Sequence, residues 1–360
     1  AKSIGLKIGD PITISVLGVE IAARIASFRE VNWDTLGFNY VLVFNRTALD
    51  SAPYTLASTI AVDPIHEPAI SRAVSGGFPA VTMVRVKDVI TEVGTLLNQL
   101  AKAIAAAPHR IEESFRVGWQ EHFYLEGQVS MAVPEEHGAV TVHCSTQHPS
   151  EVQHLVAHML HVQASMVTVE CRRMGGAFGG KEGNASIFSQ SAALAAHKLK
   201  RPVKLRVNRD DDMMITGKRH DFRIKYDVGF DEEGHILAAD FELASRCGYS
   251  CDFSGPVNDR AVLHIDNCYY LPNLHIISHR CKTNTQSATA FRGFGGPQGM
   301  FGIETVIEEI ATTLGKDPIE IRLKNLYRDP AVSGDAASMT TQYGQQIEDF
   351  VADKLIDQLL

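Results

Sequence analysis

The sequence has no long apolar run, no signal-peptide layout and no basic block. None of its hydrophobic stretches approaches the roughly 20 residues that a helix needs to cross a bilayer. The first ten residues, AKSIGLKIGD, lack the basic and apolar regions of a signal peptide. The net charge is −8, which argues against nucleic acid or an anionic membrane surface as the main partner. No transmembrane span is expected.

Closely spaced cysteine pairs are also absent. The six cysteines are scattered along the chain and none forms a C-x-x-C pair. Such scatter suits reduced thiols in a cytoplasmic protein. It also excludes an iron–sulfur cluster held at the usual close spacing, so any such centre is expected on another chain.

The 360 residues, 45% hydrophobic and 21% charged, suit a globular chain of two or three domains. Strand-like runs and helical spacings alternate, which predicts an α+β fold. A helical spacing from Lys87 to Ala107 is ended by Pro108, and the style of the sequence changes there. We therefore predict two parts, an N-terminal α+β module at residues 1–107 and a larger domain at 108–360.

Two glycine-rich segments stand out, at residues 175–182 (the first glycine segment) and 291–298 (the second glycine segment). The first lies between a predicted strand at 167–170 and a predicted helix at 184–200, where backbone N–H groups favour an anion. It matches neither a P-loop nor a dinucleotide fingerprint. By spacing alone, a tight packing turn explains it as well as a ligand cradle does.

The second glycine segment places Arg292 between Phe291 and Phe294. An arginine there can clamp an anion or a carbonyl, and Phe294 can stack on a planar ring. Taken alone, a surface arginine beside a buried phenylalanine is the better interpretation.

Three other polar groups invite a metal assignment: His154, His158 and His161; Asp210, Asp211 and Asp212; and Cys247 with Cys251. The histidines lack the glutamate of a zinc-protease helix, the aspartates lack a following set of alternate ligands, and the cysteines lack a nearby histidine. A solvated or packed face is favoured for each group.

Five stretches, in the same order, resemble the molybdenum-binding subunit of the xanthine dehydrogenase family of molybdenum hydroxylases: 120–126, 145–149, 173–182, 217–222 and 289–299. The resemblance implies that 108–360 is part of that family's first molybdopterin-binding α+β domain. It implies a molybdenum ion held by the dithiolene of molybdopterin, without a side-chain ligand. Iron–sulfur clusters and FAD are then expected on a partner subunit, which implies a hetero-oligomer.

The resemblance also assigns residues to the cofactor. Gln120 matches a glutamine beside the molybdenum oxo group, and Phe178 and Gly179 match a loop that faces the cofactor. Arg292 matches an arginine that helps to line the same site.

Three further residues match the family's purine site. Glu182 matches a glutamate that hydrogen-bonds the purine, Arg260 an arginine that steadies charge on it, and Phe294 a ring that stacks on it. Hydroxylating a ring carbon builds negative charge on the heterocycle, which such a set would stabilise. The resemblance therefore implies oxidation of hypoxanthine and xanthine to urate with water as oxygen source, with an aldehyde-oxidase type of substrate as the alternative.

Three features depart from the family pattern. Trp119 stands where a glycine is usual, and Ala177 replaces a glycine, so that its Cβ would crowd the cofactor if the backbone needs a positive φ. The family's later segments, including its general-base glutamate, are expected beyond Leu360. No catalytic residue is therefore assigned, and the chain alone is expected to be inactive.

Residues 1–107 resemble the extracytoplasmic domain of an ABC-transporter permease of the FtsX/MacB-like class. Residues 4–10, 33–39 and 85–90 carry this resemblance. It implies a fusion junction at 107/108, and it leaves open a non-catalytic assembly module that meets a transporter partner.

Overall fold

The computed structural model describes residues 7–16, 19–28, 62–63, 65–78 and 86–360. The chain divides into two compact units, Ala1–Val86 and Lys87–Leu360. In the first unit, strand β1 (Pro11–Val16) pairs antiparallel with β2 (Val19–Arg24), and helix α1 spans Glu67–Gly77. Residues 33–39, one of the stretches behind the permease resemblance, lie outside the described residues.

Helix α2 (Val86–Ala106) falls almost entirely in the second unit. Its buried residues Leu100 and Ile104 pack against Ala238 of that unit. The boundary between the compact units, after Val86, therefore lies 21 residues before the predicted junction at 107/108. The different origin of the two parts stays a prediction.

A four-stranded sheet of the second unit has the order β10-β9-β8-β3. Strands β3 (His109–Val117), β8 (Phe222–Phe230) and β9 (Ile236–Gly248) are antiparallel neighbours, and β10 (Leu274–Lys282) runs parallel to β9. Alternate residues of β8 from Phe222 to Phe230 face inward and are buried, as the two-residue period of a half-buried strand requires.

The core beside this sheet is closed by helices α6 (Ser254–Leu263), α7 (Gly296–Leu314) and α8 (Pro318–Asn325). Helix α7 places Ile303, Val306 and Ile310 in that core at the spacing expected of one helix face. Gly315, at φ 63°, caps its end, and the Asp317 side chain caps α8 by accepting from the Ile319 N–H.

A second four-stranded sheet has the order β6-β5-β4-β7. Its strands are β4 (Val129–Pro134), β5 (Val140–Cys144), β6 (Val167–Glu170) and β7 (Val203–Arg206). Helices α3 (Pro149–Leu160) and α4 (Asn184–Leu199) share a core with this sheet. The remaining described elements are short helices α5 (Arg209–Ile215), α9 (Pro330–Ser333) and α10 (Ala352–Leu359), with two single-turn 3₁₀ helices at Glu136–Gly138 and Ala164–Met166.

The α+β class and the elements beside both glycine segments are confirmed. The predicted strand at 167–170 and helix at 184–200 correspond to β6 and α4, and α7 follows the second glycine segment. Among the helices that the structure describes, none is both long and apolar enough to span a membrane.

Candidate functional site

The first glycine segment forms a turn between β6 and α4 in which the backbone is left-handed at Gly176, Phe178 and Gly179, with φ of 95°, 55° and 99°. The Gly179 N–H donates to Gln147 Oε1 at 2.9 Å. Ala177 lies outside the left-handed region, so the crowding that its Cβ would cause at positive φ does not arise.

A buried lysine anchors this turn from beneath. Lys181 Nζ lies 2.8 Å from Glu126 Oε2 and donates to Ser145 Oγ at 2.9 Å, with Nζ 4.8 Å from the centre of the Tyr124 ring. Burial by itself raises the pKa of Glu126, but the hydrogen bonds from Lys181 and Ser145 outweigh it and lower that pKa. The first glycine segment therefore rests on a satisfied polar network.

The two glycine segments meet backbone to backbone. The Arg292 N–H donates to the Phe178 carbonyl at 2.9 Å. A Cβ added to Gly179 would lie 2.7 Å from the carbonyl carbon and oxygen of Ala290 and 2.9 Å from Phe291 N. Only glycine permits this approach, because real Cβ atoms do not come that close to backbone atoms.

Residues close to Gln120 in the sequence contact the region where the two glycine segments meet. His122 Nε2–H donates to the Ala290 carbonyl at 2.7 Å, and the His122 and Phe291 ring centres are 4.5 Å apart. Burial lowers the pKa of His122, which favours the neutral ring. Gln120 is exposed, and its backbone carbonyl accepts a hydrogen bond from the backbone N–H of Arg219 at 3.0 Å. The structure thus brings the four predicted cofactor residues into one region.

Phe253 lies close to one predicted substrate residue, Phe294, and to the neighbour of another, Glu182. A Cβ on Gly183, next to Glu182, would lie 3.6 Å from the Phe253 ring, and the rings of Phe253 and Phe294 are 5.9 Å apart. On the other side, a Cβ on Gly296 would lie 3.8 Å from Arg260 Nε. Phe253 therefore lies between Phe294 and the neighbour of Glu182, and Arg260 lies beside Gly296 of the second glycine segment.

Charge at this region is dominated by unpaired arginines. Arg260 and Arg292 are exposed, and neither side chain forms an ion pair or hydrogen bond with any residue in the described ranges. Burial, together with the nearby Asp252 carboxylate, raises the pKa of Glu182, while His148 opposes the shift. Among the described residues, this region therefore carries two guanidinium groups without a partner and one carboxyl group that is protonated more readily than usual.

Sequence reasoning missed three residues of this region: His122, Arg219 and Phe253. His122 and Arg219 stand inside stretches that carry the family resemblance, but their importance comes from burial and ring contacts with Phe291. The link made by Phe253 depends on how α6 packs, which neighbouring residues in the sequence do not reveal.

The lowered pKa of a second buried histidine, His220, predicts how the free energy of unfolding depends on pH. Burial lowers the pKa of His220 to about 4. The unfolded chain, with a histidine pKa of about 6.5, binds the proton first, so stability is fully present above about pH 6.5 and is lost as pH falls toward 4. We expect about 2 kcal/mol of this loss between pH 7 and 5, measured by urea unfolding. His220→Asn should flatten this dependence, whereas His154→Asn, at an exposed position of α3, should not. Equal slopes for all three proteins would contradict the assignment.

The residues present fit an anionic cofactor. Besides the two free arginines, the buried Arg219 has two N–H groups, Nε and Nη1, without a partner in the described part of the chain. Within the same part, no group of three or more His, Cys, Asp or Glu residues could hold a metal ion. A metal at this site would need ligands from the cofactor itself. The fold is an α+β domain, and the region where the two glycine segments meet carries positive charge that suits an anionic ligand.

The model of the molybdopterin cofactor-binding domain family matches residues 85–326. The chain belongs to this family. The cofactor of this site is therefore the molybdenum-bearing molybdopterin.

Similar proteins agree with this assignment. Xanthine dehydrogenase of Drosophila subobscura is 46% identical over 263 residues, covering 73% of this chain and 19% of the relative. Xanthine dehydrogenase/oxidase of Rattus norvegicus is 36% identical over 334 residues, covering 90% and 24%. Aldehyde oxidoreductase of Desulfovibrio gigas superposes with a TM-score of 0.64 at 29% identity, covering 72% and 27%. The chain thus spans about a fifth to a quarter of the curated relatives.

The permease resemblance of residues 1–107 finds no support. The alignment with the rat enzyme is longer than the stretch from residue 108 to Leu360, so it also takes in part of the region before residue 108. The short motifs behind the permease resemblance are too general to identify a family.

Proposed function

We propose that this chain forms the cofactor- and substrate-facing wall of a molybdenum hydroxylase that oxidises hypoxanthine and xanthine to urate. The observation that carries the proposal is that Phe253 contacts the Phe294 ring and lies close to Gly183, the neighbour of Glu182, while Arg260 lies beside Gly296 of the second glycine segment. The reaction replaces a ring C–H by C–OH with oxygen from water, and it releases two protons and two electrons. The bound cofactor supplies the two-electron acceptor and polarises the water.

The roles of the residues follow from their chemistry. The Phe294 ring offers a face on which a planar purine can stack, held at an angle by Phe253. The Glu182 carboxyl, whose pKa is raised by burial, can exchange a hydrogen bond with a ring nitrogen. The free Arg260 guanidinium can stabilise the negative charge that develops on the ring. The proposal assigns binding and charge stabilisation to this chain, and it assigns no general base.

The electrons released by the reaction require an acceptor, which points to a partner subunit. Two electrons must leave the site after each turnover, and the six cysteines of this chain are all free. We propose that they pass to iron–sulfur clusters and FAD on a partner subunit, in a cytoplasmic hetero-oligomer. The inactivity of the chain alone stays a prediction.

Aldehyde oxidation is the second candidate. The superposition with an aldehyde oxidoreductase favours it, because the two chains share the fold around the site. The pair of Glu182 and Arg260 favours the purine, since an aldehyde offers no ring nitrogens for these groups to contact.

The experiment compares substrates on the assembled enzyme. The chain is produced as part of a complete enzyme of the family, with the later molybdopterin-binding segments and an iron–sulfur and flavin partner, in a host that makes molybdopterin. Xanthine, hypoxanthine and benzaldehyde are then assayed in ¹⁸O-water. We expect kcat/KM to be higher for the purines, with ¹⁸O in urate. Preferred oxidation of benzaldehyde would support the second candidate, and no oxidation of either class would contradict both. The chain purified alone is the control, expected to be inactive.

A further inference from the structure

Arg219 is a buried guanidinium without a counter-charge. The residue is only 8% exposed, and neither Nε nor Nη1 has a hydrogen-bond partner among the described residues. Burial lowers the pKa of its side chain to about 10, which still leaves it charged at neutral pH. A buried charge is costly unless it is paired, so this arrangement asks for an explanation.

The neighbouring carboxylates are committed to other cations. Asp221, two residues further on, accepts hydrogen bonds from Arg116 and from Arg246, the latter at 2.7 Å. Glu121 lies 2.9 Å from Lys218 Nζ. Arg219 itself forms no ion pair with any carboxylate in the described ranges, so its charge is not part of an internal salt-bridge network.

What holds Arg219 is the aromatic ring of the second glycine segment. Its guanidinium carbon lies 3.8 Å from the centre of the Phe291 ring, and its backbone N–H donates to the Gln120 carbonyl. A cation–π contact offsets only part of the cost of burying a charge. Phe291 also contacts the His122 ring, and it stands between Ala290 and Arg292, which meet the first glycine segment.

We propose that Arg219 is a positioning residue that keeps a positive charge behind the second glycine segment for the anionic molybdopterin. The phosphate and dithiolene of that cofactor are anionic. Their negative charge would balance the positive charge of Arg219, for which the described residues provide no counter-charge. The arrangement sacrifices stability of the cofactor-free protein for binding of the cofactor. The inference rests on the cofactor assignment and is independent of whether the substrate is a purine.

The test separates stability from cofactor retention in three variants: Arg219→Met, Arg219→Lys and, as a control, Arg223→Met on the exposed side of β8. In cofactor-free protein, Arg219→Met should unfold at an unchanged or higher urea concentration, because it removes a buried unpaired charge. In protein from a host that makes molybdopterin, its content of bound pterin, read by fluorescence after oxidation, should fall at least tenfold. Arg219→Lys keeps the charge without the stacked plane and should lose less.

Each other outcome counts against the proposal. A lower urea midpoint for cofactor-free Arg219→Met would show that the guanidinium is part of the packing, and unchanged pterin content would show that the cofactor does not use its charge. If Arg223→Met lost as much bound pterin as Arg219→Met, the loss would reflect the net charge of the protein and not the position of Arg219. Wild-type protein without pterin would overturn the cofactor assignment itself, a failure distinct from that of the purine proposal, which this experiment does not read.

Discussion

Gly179→Ala is expected to lower the free energy of unfolding by about 2–5 kcal/mol. The backbone at this position has φ 99°, which an L side chain adopts at a cost of about 1–2 kcal/mol. In addition, the new Cβ would lie 2.7 Å from the Ala290 carbonyl, and overpacking typically costs about 1–3 kcal/mol. The clash involves backbone on both sides, so the two glycine segments must move apart. Urea unfolding of the purified protein measures the change.

Gly138→Ala is the matched control for that experiment. Gly138 also has a positive φ, of 84°, but a Cβ there would meet no atom within 4 Å. Its substitution carries only the conformational cost, about 1–2 kcal/mol. If the two variants lose equal stability, the close approach of Gly179 to Ala290 does not hold the segments together.

Glu182→Ala is expected to lower kcat/KM for xanthine about 10²–10³-fold while lowering that for benzaldehyde less than about tenfold. Loss of one hydrogen-bonding group that acts in the transition state typically has an effect of this size. An aldehyde has no ring nitrogen for Glu182 to contact, so its oxidation loses less. The measurement is steady-state kinetics of the assembled enzyme with both substrates.

Two controls define the result with Glu182. Glu182→Gln keeps the size and a hydrogen-bonding group, and it should lose less activity on xanthine than the alanine variant. Glu136→Ala removes an exposed carboxylate from a turn between β4 and β5 and should change neither substrate. Equal losses for xanthine and benzaldehyde in Glu182→Ala would mean that Glu182 serves the fold or the cofactor, and the purine proposal would lose its main support.

The sequence was sufficient to predict local structure around the site. Glycine, proline and capping residues mark the ends of α4, α7 and α8, because these signals act within a few residues. The family motifs also identified Phe178 and Arg292, whose backbones the structure joins by a hydrogen bond. Their assignment to the cofactor follows from the family, and their individual roles remain predictions.

What the sequence did not reveal depends on contacts between distant segments. The approach of Gly179 to Ala290 joins residues more than a hundred positions apart, and no local pattern encodes such a distance. The isolation of Arg219 is likewise invisible, because it results from Asp221 and Glu121 binding other cations. Pro108 predicts a boundary after helix α2 and so groups α2 with the N-terminal part, whereas Leu100 and Ile104 pack against Ala238.

The central claim is that the meeting of the two glycine segments holds molybdopterin. Pterin and molybdenum contents of wild-type, Gly138→Ala and Gly179→Ala proteins, purified from a host that makes the cofactor, test it most directly. The account predicts bound pterin and molybdenum in the wild type and in Gly138→Ala, and at least a tenfold loss of both in folded Gly179→Ala. Wild-type protein without pterin, or Gly179→Ala with the wild-type content, would contradict it.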